Sequence, residues 1–534
     1  MKTQAAVKLI SQEGFKNENS TTLQKVDNTL TAELFFGICS PIGSLKENVI
    51  ETLKYNLFVK YGYTVEVIKL SEFINSYKVD SEDEKEIIKE PGKSRIFNDY
   101  LEKISKGNII RKNQNNTILA ELAIQEIHLS RLREAKENGI DEPKSEDFKS
   151  RRKCYIIDSL KTTDELKLLR KVYTDNFYQI SVFSSLNDRK ENLKNKGFSP
   201  EEIVRIIEID DKQNLEYGQN VRGTFVDGDF FVRISEENIP DLNRKIERYL
   251  NLIFESAIVT PTIEELSMYN AKSASGNSAC LSRQVGACII DSNNNLLSTG
   301  WNDVPKYGGN LYSSSGTSLD NRCYNKGYCS NDAHKERLVE NIIDGFLTND
   351  KIKAIFKDDN GDLKDDLLNE VKKSIKDTKV KDLIEFSRSV HAEMHAIIQG
   401  SQTTGDKMIG GKLFCTTYPC HNCARHIVAA GIEEVYFIEP YVKSLCLTLH
   451  SDSMTENEKE TNKVKILMFD GVAPRRYLTF FTNFAERKDK KGKLIRSNYK
   501  NISPKTAKSL QALSTLEQQA VHSLAQNYEK TPPN

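Results

Sequence analysis

His391-Ala392-Glu393, followed later by Pro419-Cys420-His421-Asn422-Cys423, gathers residue types that do chemistry. A neutral imidazole and two thiolates suit Zn²⁺, and three protein ligands leave a fourth tetrahedral position for water. Cys420 and Cys423 stand three residues apart, so one helical turn sets both sulfurs on one side. The stretch from His391 to Cys420 has room for a helix, a connection and a strand over Leu413–Thr417. Bound zinc lowers the pKa of its water toward about 7 and supplies hydroxide at neutral pH. Glu393 need not ligate the metal. It can accept the water proton and hand it on to a substrate.

Other readings exist for parts of this set. Cys420 and Cys423 alone also fit half of a structural zinc knuckle, or a redox pair. His391 and His395 are i and i+4, as on a metalloprotease helix, but that chemistry needs Glu directly after the first His, and residue 392 is Ala. His395 is therefore expected to pack or support, and His421 and His426 to lie on a helix surface. Taken whole, His-x-Glu with Pro-Cys-x-x-Cys is the signature of zinc deaminases. In that chemistry hydroxide adds to C4 of a cytosine ring, and Glu393 would protonate N3 and then the departing ammonia. Backbone around Ala392 and Thr417 can hold the pyrimidine edge.

The elements that must carry these residues alternate. From a boundary near Ser256–Thr262 a second α/β segment reads as a helix over Glu264–Ser275, strands over Gln284–Asp291 and Leu296–Trp301, and a long polar insertion over roughly Pro305–Ser387. A helix over Ser389–Gly400, the strand Lys412–Thr417, a helix over Cys420–Ala430 and a strand over Glu434–Glu439 complete the series. Upstream, Leu34–Ile38 is a short apolar run, and Leu45, Val49, Leu53 and Leu57 recur every four residues. Tyr63–Leu70 is rich in β-formers. This strand–turn–helix–strand order is a βαβ unit and predicts a parallel sheet. Cys154–Asp158 and Tyr178–Phe183 are further strands, and the charged stretch 139–153 is a loop. The divisions expected are a polar leader (1–30), a first domain (31–255), a second (256–485) and a charged tail with a short helix around Ala507–Ala525 (486–534). No internal repeat is present.

The 534 residues carry 76 Lys+Arg and 76 Asp+Glu, so net charge is zero. That argues against a protein coating nucleic acid, which needs a basic excess to release counterions. It allows a local basic pocket. No apolar run approaches the 18–20 residues of a membrane span, and the N-terminal stretch has no signal-peptide core, which predicts a cytoplasmic protein. Ten cysteines are too sparse for a disulfide scaffold, so clustered Cys and His point to metal. The mixed run Glu486–Lys493 reads as a solvated linker, without the interleaved aromatics of a strand-binding platform. Trp301, the sole tryptophan, is expected in the core or lining the site.

Beyond the zinc residues, Ser282-Arg283-Gln284-Val285-Gly286-Ala287 and Gly300-Trp301-Asn302-Asp303-Val304-Pro305 resemble the first two strands of the deoxycytidylate deaminases. Tyr441-Val442-Lys443-Ser444-Leu445, Leu449-His450-Ser451-Asp452, Gly471-Val472-Ala473-Pro474-Arg475, Gly218-Gln219-Asn220-Val221-Arg222 and Asp229-Phe230-Phe231-Val232 look like the bacterial anti-phage dCTP deaminases. The resemblance covers residues 30–485. It implies an N-terminal P-loop-kinase-like parallel-sheet domain joined to a C-terminal cytidine-deaminase-fold domain of three α/β/α layers. It implies conversion of dCTP to dUTP and of dCMP to dUMP, draining deoxycytidine nucleotides during infection. By the same resemblance Asn302 contacts the sugar hydroxyl, Arg283 lies near the phosphates, and the chain is a homo-oligomer. Salvage dCMP deamination, nucleic-acid editing and a nucleotide-sensing scaffold with a relic zinc site are the competing functions.

Two further constellations stay open. Gly37–Leu45 (GICSPIGSL) sits where a phosphate loop belongs. Aligned on Gly43, however, the Walker Lys is Ser44, the Ser/Thr is Leu45, the first Gly is Ile38, and Lys46 is displaced. Backbone N–H groups from Gly37 through Gly43 and Ser44 can still hold phosphate, with Asp158 as a Walker B counterpart. A plain βα turn and a helix-capping Asp fit equally. The expected partner here is a regulatory nucleotide, or an inhibitory RNA or protein. Cys323, Cys329 and His334 lie close enough in sequence for a second, structural zinc, as some deoxycytidylate deaminases carry. Two free thiols and a surface His are the alternative.

Overall fold

The structure, a computed structural model, describes residues 21–212, 220–314, 319–358, 360–441, 444–482 and 485–530. Residues 1–20 of the expected leader, Gly218 and Gln219, and Val442 and Lys443 lie outside them. The chain forms two compact units, one of Met1–Gly228, Ile234–Val259 and Thr482–Asn534, the other of Asp229–Arg233 and Thr260–Phe481.

Unit 1 holds β1 (Leu34–Cys39), β2 (Thr64–Lys69), β3 (Lys153–Asp158) and β4 (Phe177–Phe183). They pair in parallel in the order β2-β3-β1-β4. β1 is buried along its whole length, and β3 and β4 nearly so, as expected of strands covered on both faces. The helix Lys46–Val59 sets Val49, Leu53 and Leu57 inward, the face its four-residue spacing predicts. Ile38 pairs with Asp158, so the β1 loop and the end of β3 meet.

The closing helix, Leu510–Lys530, begins three residues later and ends five residues later than the Ala507–Ala525 expected. Leu513 and Leu524 enter the core that Phe35, Ile124 and Tyr173 build, and its Glu517 is fully buried against Arg131 Nε at 2.8 Å. Arg131 also binds Glu33, at 2.6 Å, and Arg151 Nε reaches Glu33 at 2.6 Å. These four charged residues form an interior network.

Unit 2 holds β5 (Phe230–Arg233), β6 (Gly286–Ile290), β7 (Leu296–Trp301), β8 (Lys412–Thr417), β9 (Glu434–Glu439), β10 (Met454–Thr455), β11 (Val464–Met468) and β12 (Gly471–Val472). Its main sheet runs β10-β11-β9-β8-β6-β7. β6 is antiparallel to β7 and β8, and the remaining pairs are parallel. β5 and β12 pair antiparallel, and Asp229 accepts hydrogen bonds from Arg475 and, at 2.7 Å, from Arg476. Two motifs far apart in sequence thus lock together. The insertion is not simply polar loop. Its helices Ser330–Thr348 and Asp365–Lys376 close a small core of Ile343, Phe356 and Leu368.

Candidate zinc site

Two helices start at the site. His391 caps the helix Ala392–Thr404, and Cys420 caps the helix His421–Ala429, its sulfur accepting the Cys423 N–H at 3.4 Å. Helix N-termini carry unpaired N–H groups and a positive dipole end, which favour thiolate and other anions. The first of these helices lies tight on β7 because of Gly300. A Cβ there would stand 2.3 Å from the Ala392 carbonyl and 2.5 Å from the Ala396 nitrogen. Ala392 and Ala396, both fully buried, are the matching small residues on the helix.

His391 Nδ1 is 3.3 Å from both the Cys420 and the Cys423 sulfur. The three ligand atoms lie within 4.8 Å of one another, the sole such group of His, Cys, Asp or Glu among the described residues. Two soft sulfurs and one imidazole nitrogen, converging in a buried corner, fit zinc with an open position. The Cys420 thiol is pulled down to about 4, chiefly by its hydrogen bond with Cys423 and then by His391. The His391 imidazole is raised to about 9 by the Cys420 sulfur. The Cys420–Cys423 hydrogen bond pushes the Cys423 thiol up, so metal must displace the Cys423 and His391 protons. Glu393 is buried and outside the ligand group. Burial, reinforced by the Cys420 charge, holds its carboxyl above the usual carboxylate range.

A cavity of about 330 Å³ opens beside this cluster. His391, Ala392, Glu393 and Cys420 line it, as do Asn302, Arg283 and Thr417. The Asn302 amide is engaged at both ends, accepting the Val285 N–H at 2.8 Å and donating to the Arg283 carbonyl at 3.0 Å. It shapes the Arg283–Val285 wall. Arg283 pairs with Glu439 at 3.1 Å and stacks toward Tyr441, and Thr417 donates to Glu439 at 3.3 Å.

Cys323 and Cys329 line the same cavity but do not gather with His334. The Cys329 sulfur lies 3.8 Å from the Ser282 hydroxyl, and the His334 ring packs on Phe386. His395 is buried. Its Nδ1 accepts the Trp301 N–H at 3.2 Å, which leaves Nε2–H to donate to Asn310 Oδ1 at 3.0 Å. Trp301 meets the His395 ring edge-on.

The wall that sequence reasoning missed comes from the insertion and the residue after it: Lys335, Lys381, Asp382 and Arg388 all face the cavity. Arg388 donates to the Asn321 carbonyl at 2.9 Å. Asp303 also escaped assignment. It accepts the Ala279 N–H at 3.0 Å and pairs with buried Arg322 at 3.4 Å, tying the insertion to the segment before Cys280. No motif marks Lys335, Lys381, Asp382 or Arg388, and Asp303 stands within the Gly300–Pro305 motif without an assigned role. The nearest signal was the position of Arg388, three residues before His391.

In unit 1 the loop Ser40–Leu45 and Asp158 also come together, but the Asp158 carboxylate and the Ile42, Ser44 and Leu45 N–H groups are already engaged, and the buried Ser44 hydroxyl is not. Lys46 Nζ binds Asp158 at 2.5 Å and Ser159 at 2.6 Å. Ile42 N–H donates to Asp210 at 2.7 Å, Ser44 N–H to the Pro41 carbonyl at 3.2 Å and Leu45 N–H to Ser184 at 3.2 Å.

The comparisons agree with the geometry of unit 2. Residues 261–439 match the family model of the cytidine and deoxycytidylate deaminase zinc-binding region. The C-terminal unit therefore carries a cytidine and deoxycytidylate deaminase domain. Among relatives, the chain is 26 % identical over 177 residues to deoxycytidylate deaminase of Enterobacteria phage T2, covering 32 % of this chain and 76 % of that one. It is 44 % identical over 55 residues to ComE operon protein 2 of Bacillus subtilis (strain 168), covering 10 % of this chain and 29 % of that protein. A solved dCMP deaminase of cyanophage S-TIM5 is 18 % identical, aligning over 40 % of this chain and 100 % of that one at a TM-score of 0.22. Among the described residues, no helix is long and apolar enough to cross a membrane.

Proposed function

We propose that this chain is a zinc-dependent hydrolase that deaminates deoxycytidine nucleotides, dCTP to dUTP and dCMP to dUMP, with release of ammonia. The observation that carries the reading is a three-ligand His391/Cys420/Cys423 cluster with buried Glu393 beside it, at the wall of a nucleotide-sized cavity. When bound by those three residues, zinc supplies a water acidified toward about pKa 7. Glu393 then serves as the proton carrier. Its carboxylate accepts the water proton and delivers it to N3 of the ring, then takes the remaining proton from the hydroxyl added at C4 and gives it to the departing amine. The raised affinity of Glu393 for a proton suits that shuttle. Ala392 and Thr417 present the pyrimidine wall, and Asn302 keeps that wall in shape through its two hydrogen bonds. Arg283, Lys335, Lys381 and Arg388 face the same cavity as Asp332 and Asp382, and the basic excess among them favours a phosphorylated substrate. Depletion of deoxycytidine nucleotides as an antiviral measure rests on the resemblance of the flanking motifs.

Incubation of the zinc-loaded full chain with dCTP, dCMP, CTP, deoxycytidine and single-stranded DNA, followed by ammonia release, tests this. Turnover of dCTP and dCMP, abolished in Glu393→Ala, is expected. Deamination of the polynucleotide alone would replace the reading with an editing enzyme.

A further inference from the structure

Asp303 is buried, carries a charge that the zinc chemistry does not use, and joins three segments around the cavity. It follows Asn302, just past the end of β7. Its backbone forms an antiparallel bridge with Val390, whose N–H donates to the Asp303 carbonyl at 2.9 Å. The next residue is the candidate ligand His391. The Asp303 carboxylate reaches the other two segments. Oδ2 accepts the Ala279 N–H at 3.0 Å, one residue before Cys280 on the cavity wall. The same oxygen lies 3.4 Å from Arg322 Nη1, one residue before Cys323 on that wall. Oδ1 accepts the Val304 N–H at 2.8 Å.

Burial makes this arrangement demanding. The Asp303 side chain is 1 % exposed and that of Arg322 4 %. A buried carboxylate is costly unless a cation and hydrogen bonds compensate it, and Arg322 is that cation. Arg322 is itself fixed from the other side. Its Nε donates to the Asp320 oxygens at 3.1 and 3.0 Å and its Nη2 to Asp320 Oδ2 at 2.7 Å, and its guanidinium lies 5.1 Å from the Tyr324 ring centre. A planar guanidinium held by a bidentate partner presents its remaining N–H groups in a set direction. Here that direction is Asp303. A second tie runs alongside, since Arg388 Nη1 donates to the Asn321 carbonyl at 2.9 Å.

We infer that Asp303 and Arg322 are positioning residues of the zinc site, and that through them the insertion sets both the approach of His391 to the metal and the spacing of the cavity walls. Neither residue lines the cavity, so each acts through neighbours that do. Asp303 fixes the strand position from which Val390 delivers His391. Arg322 holds the start of the insertion against Asp303, and the Ala279 N–H holds the loop that leads to Arg283. Groups that orient a metal ligand from behind typically control metal affinity by about 10–100-fold. The part of this inference that concerns substrate rests on the deamination reading. The part that concerns metal does not.

Two measurements on the full chain test it: Zn²⁺ affinity by competition with a chromophoric chelator, and steady-state kinetics on dCMP. Arg322→Met is expected to bind Zn²⁺ about ten-fold or more weakly than the parent. Its KM should rise, while kcat at saturating zinc stays within about three-fold, because Glu393 and the three ligands remain. Asp303→Asn/Arg322→Met should be no worse than Arg322→Met, since the two residues act as one unit. A purely structural role would lower stability in these variants and leave the zinc affinity and KM of the folded protein parental. Parental zinc affinity in folded Arg322→Met therefore overturns the proposal. If Arg322→Met does not fold, Asp303→Asn, which keeps the shape and removes the charge, decides by the same two readouts, and parental values there overturn the proposal. A parent chain that turns over neither dCMP nor dCTP would end the deamination reading, and the zinc affinities would then judge this inference by themselves.

Discussion

The His391/Cys420/Cys423 cluster of unit 2 and the Ser40–Leu45 turn of unit 1 are built on the same local plan. Each lies where strands end and helices begin, each uses helix N-termini, and each gathers a buried anion. They differ in what the neighbours leave open. In unit 2, three donor atoms converge within 4.8 Å and face a cavity of about 330 Å³. In unit 1, the Ile42, Ser44 and Leu45 N–H groups are all spent on acceptors of the same chain. The lesson is that a helix start after a strand makes a site available, and the surrounding side chains decide whether it is open or filled.

The strongest way to break this comparison is to remove the group that makes the open site reactive. Glu393→Gln is expected to keep zinc, since Glu393 is outside the ligand group, and to lose about 10²–10⁴-fold in kcat. Cys420→Ser should lose both metal and activity. Metal content per chain, measured beside steady-state rates on dCMP and dCTP, separates the two. A Glu393→Gln enzyme with parental kcat would show that the site does not work through a proton carrier.

Unit 1 spends its polar groups on stability, so its largest expected effect is on folding. Arg131 is 1 % exposed and holds two fully buried carboxylates, Glu33 and Glu517. Arg131→Met leaves Glu33 to Arg151 alone and takes from Glu517 its one guanidinium partner, and should cost about 3–5 kcal/mol. Urea denaturation followed by circular dichroism reads this directly. A loss below 1 kcal/mol would mean that the network is decoration. The same network sets an acid limit. Burial alone would raise the Glu517 carboxyl, but Arg131 and His128 beside it hold it below the usual range. A carboxylate with a depressed folded pKa stabilises the fold above its unfolded pKa, about 4.3. That contribution drains away as pH falls from there through the folded value. The urea midpoint should therefore drop below about pH 4, and Glu517→Gln should flatten that slope relative to the parent.

How much of this was legible in the sequence follows from the range of the interactions involved. His391, Glu393, Cys420 and Cys423 were readable because metal chemistry fixes residue type and spacing within short motifs. β8 and β9 were readable to the residue, since an apolar run between turn signals is a local pattern. Arg131, Glu33 and Glu517 were not, because their meaning lies in contacts spanning 98 and 386 positions of chain. Singly, each is an ordinary charged residue. Asp210 hid for the same reason: the loop motif was visible, and the carboxylate that fills it lies 168 residues away. The cavity wall from Lys335 and Lys381 was read only as polar insertion, since polar composition marks a solvent face and a substrate face alike.

The smallest expected effect is also the sharpest test of how the open site keeps its shape. His395 is buried on the same helix as Glu393, and burial pulls its pKa below the ordinary imidazole value. It is therefore neutral at pH 7, accepting from the Trp301 N–H through Nδ1 and donating to Asn310 through Nε2. Trp301 ends β7, and Asn302, which follows it, braces the Arg283–Val285 wall of the cavity. His395→Ala leaves the Trp301 N–H without its acceptor and should cost about 1–3 kcal/mol of stability. If His395 also positions the cavity wall, KM for dCMP should rise while zinc content stays at the parental level. His395→Asn, which retains an acceptor and a donor, should recover part of the KM change. Equal KM in all three proteins would reduce His395 to a packing residue and assign the shape of the wall to Gly300 and Asn302.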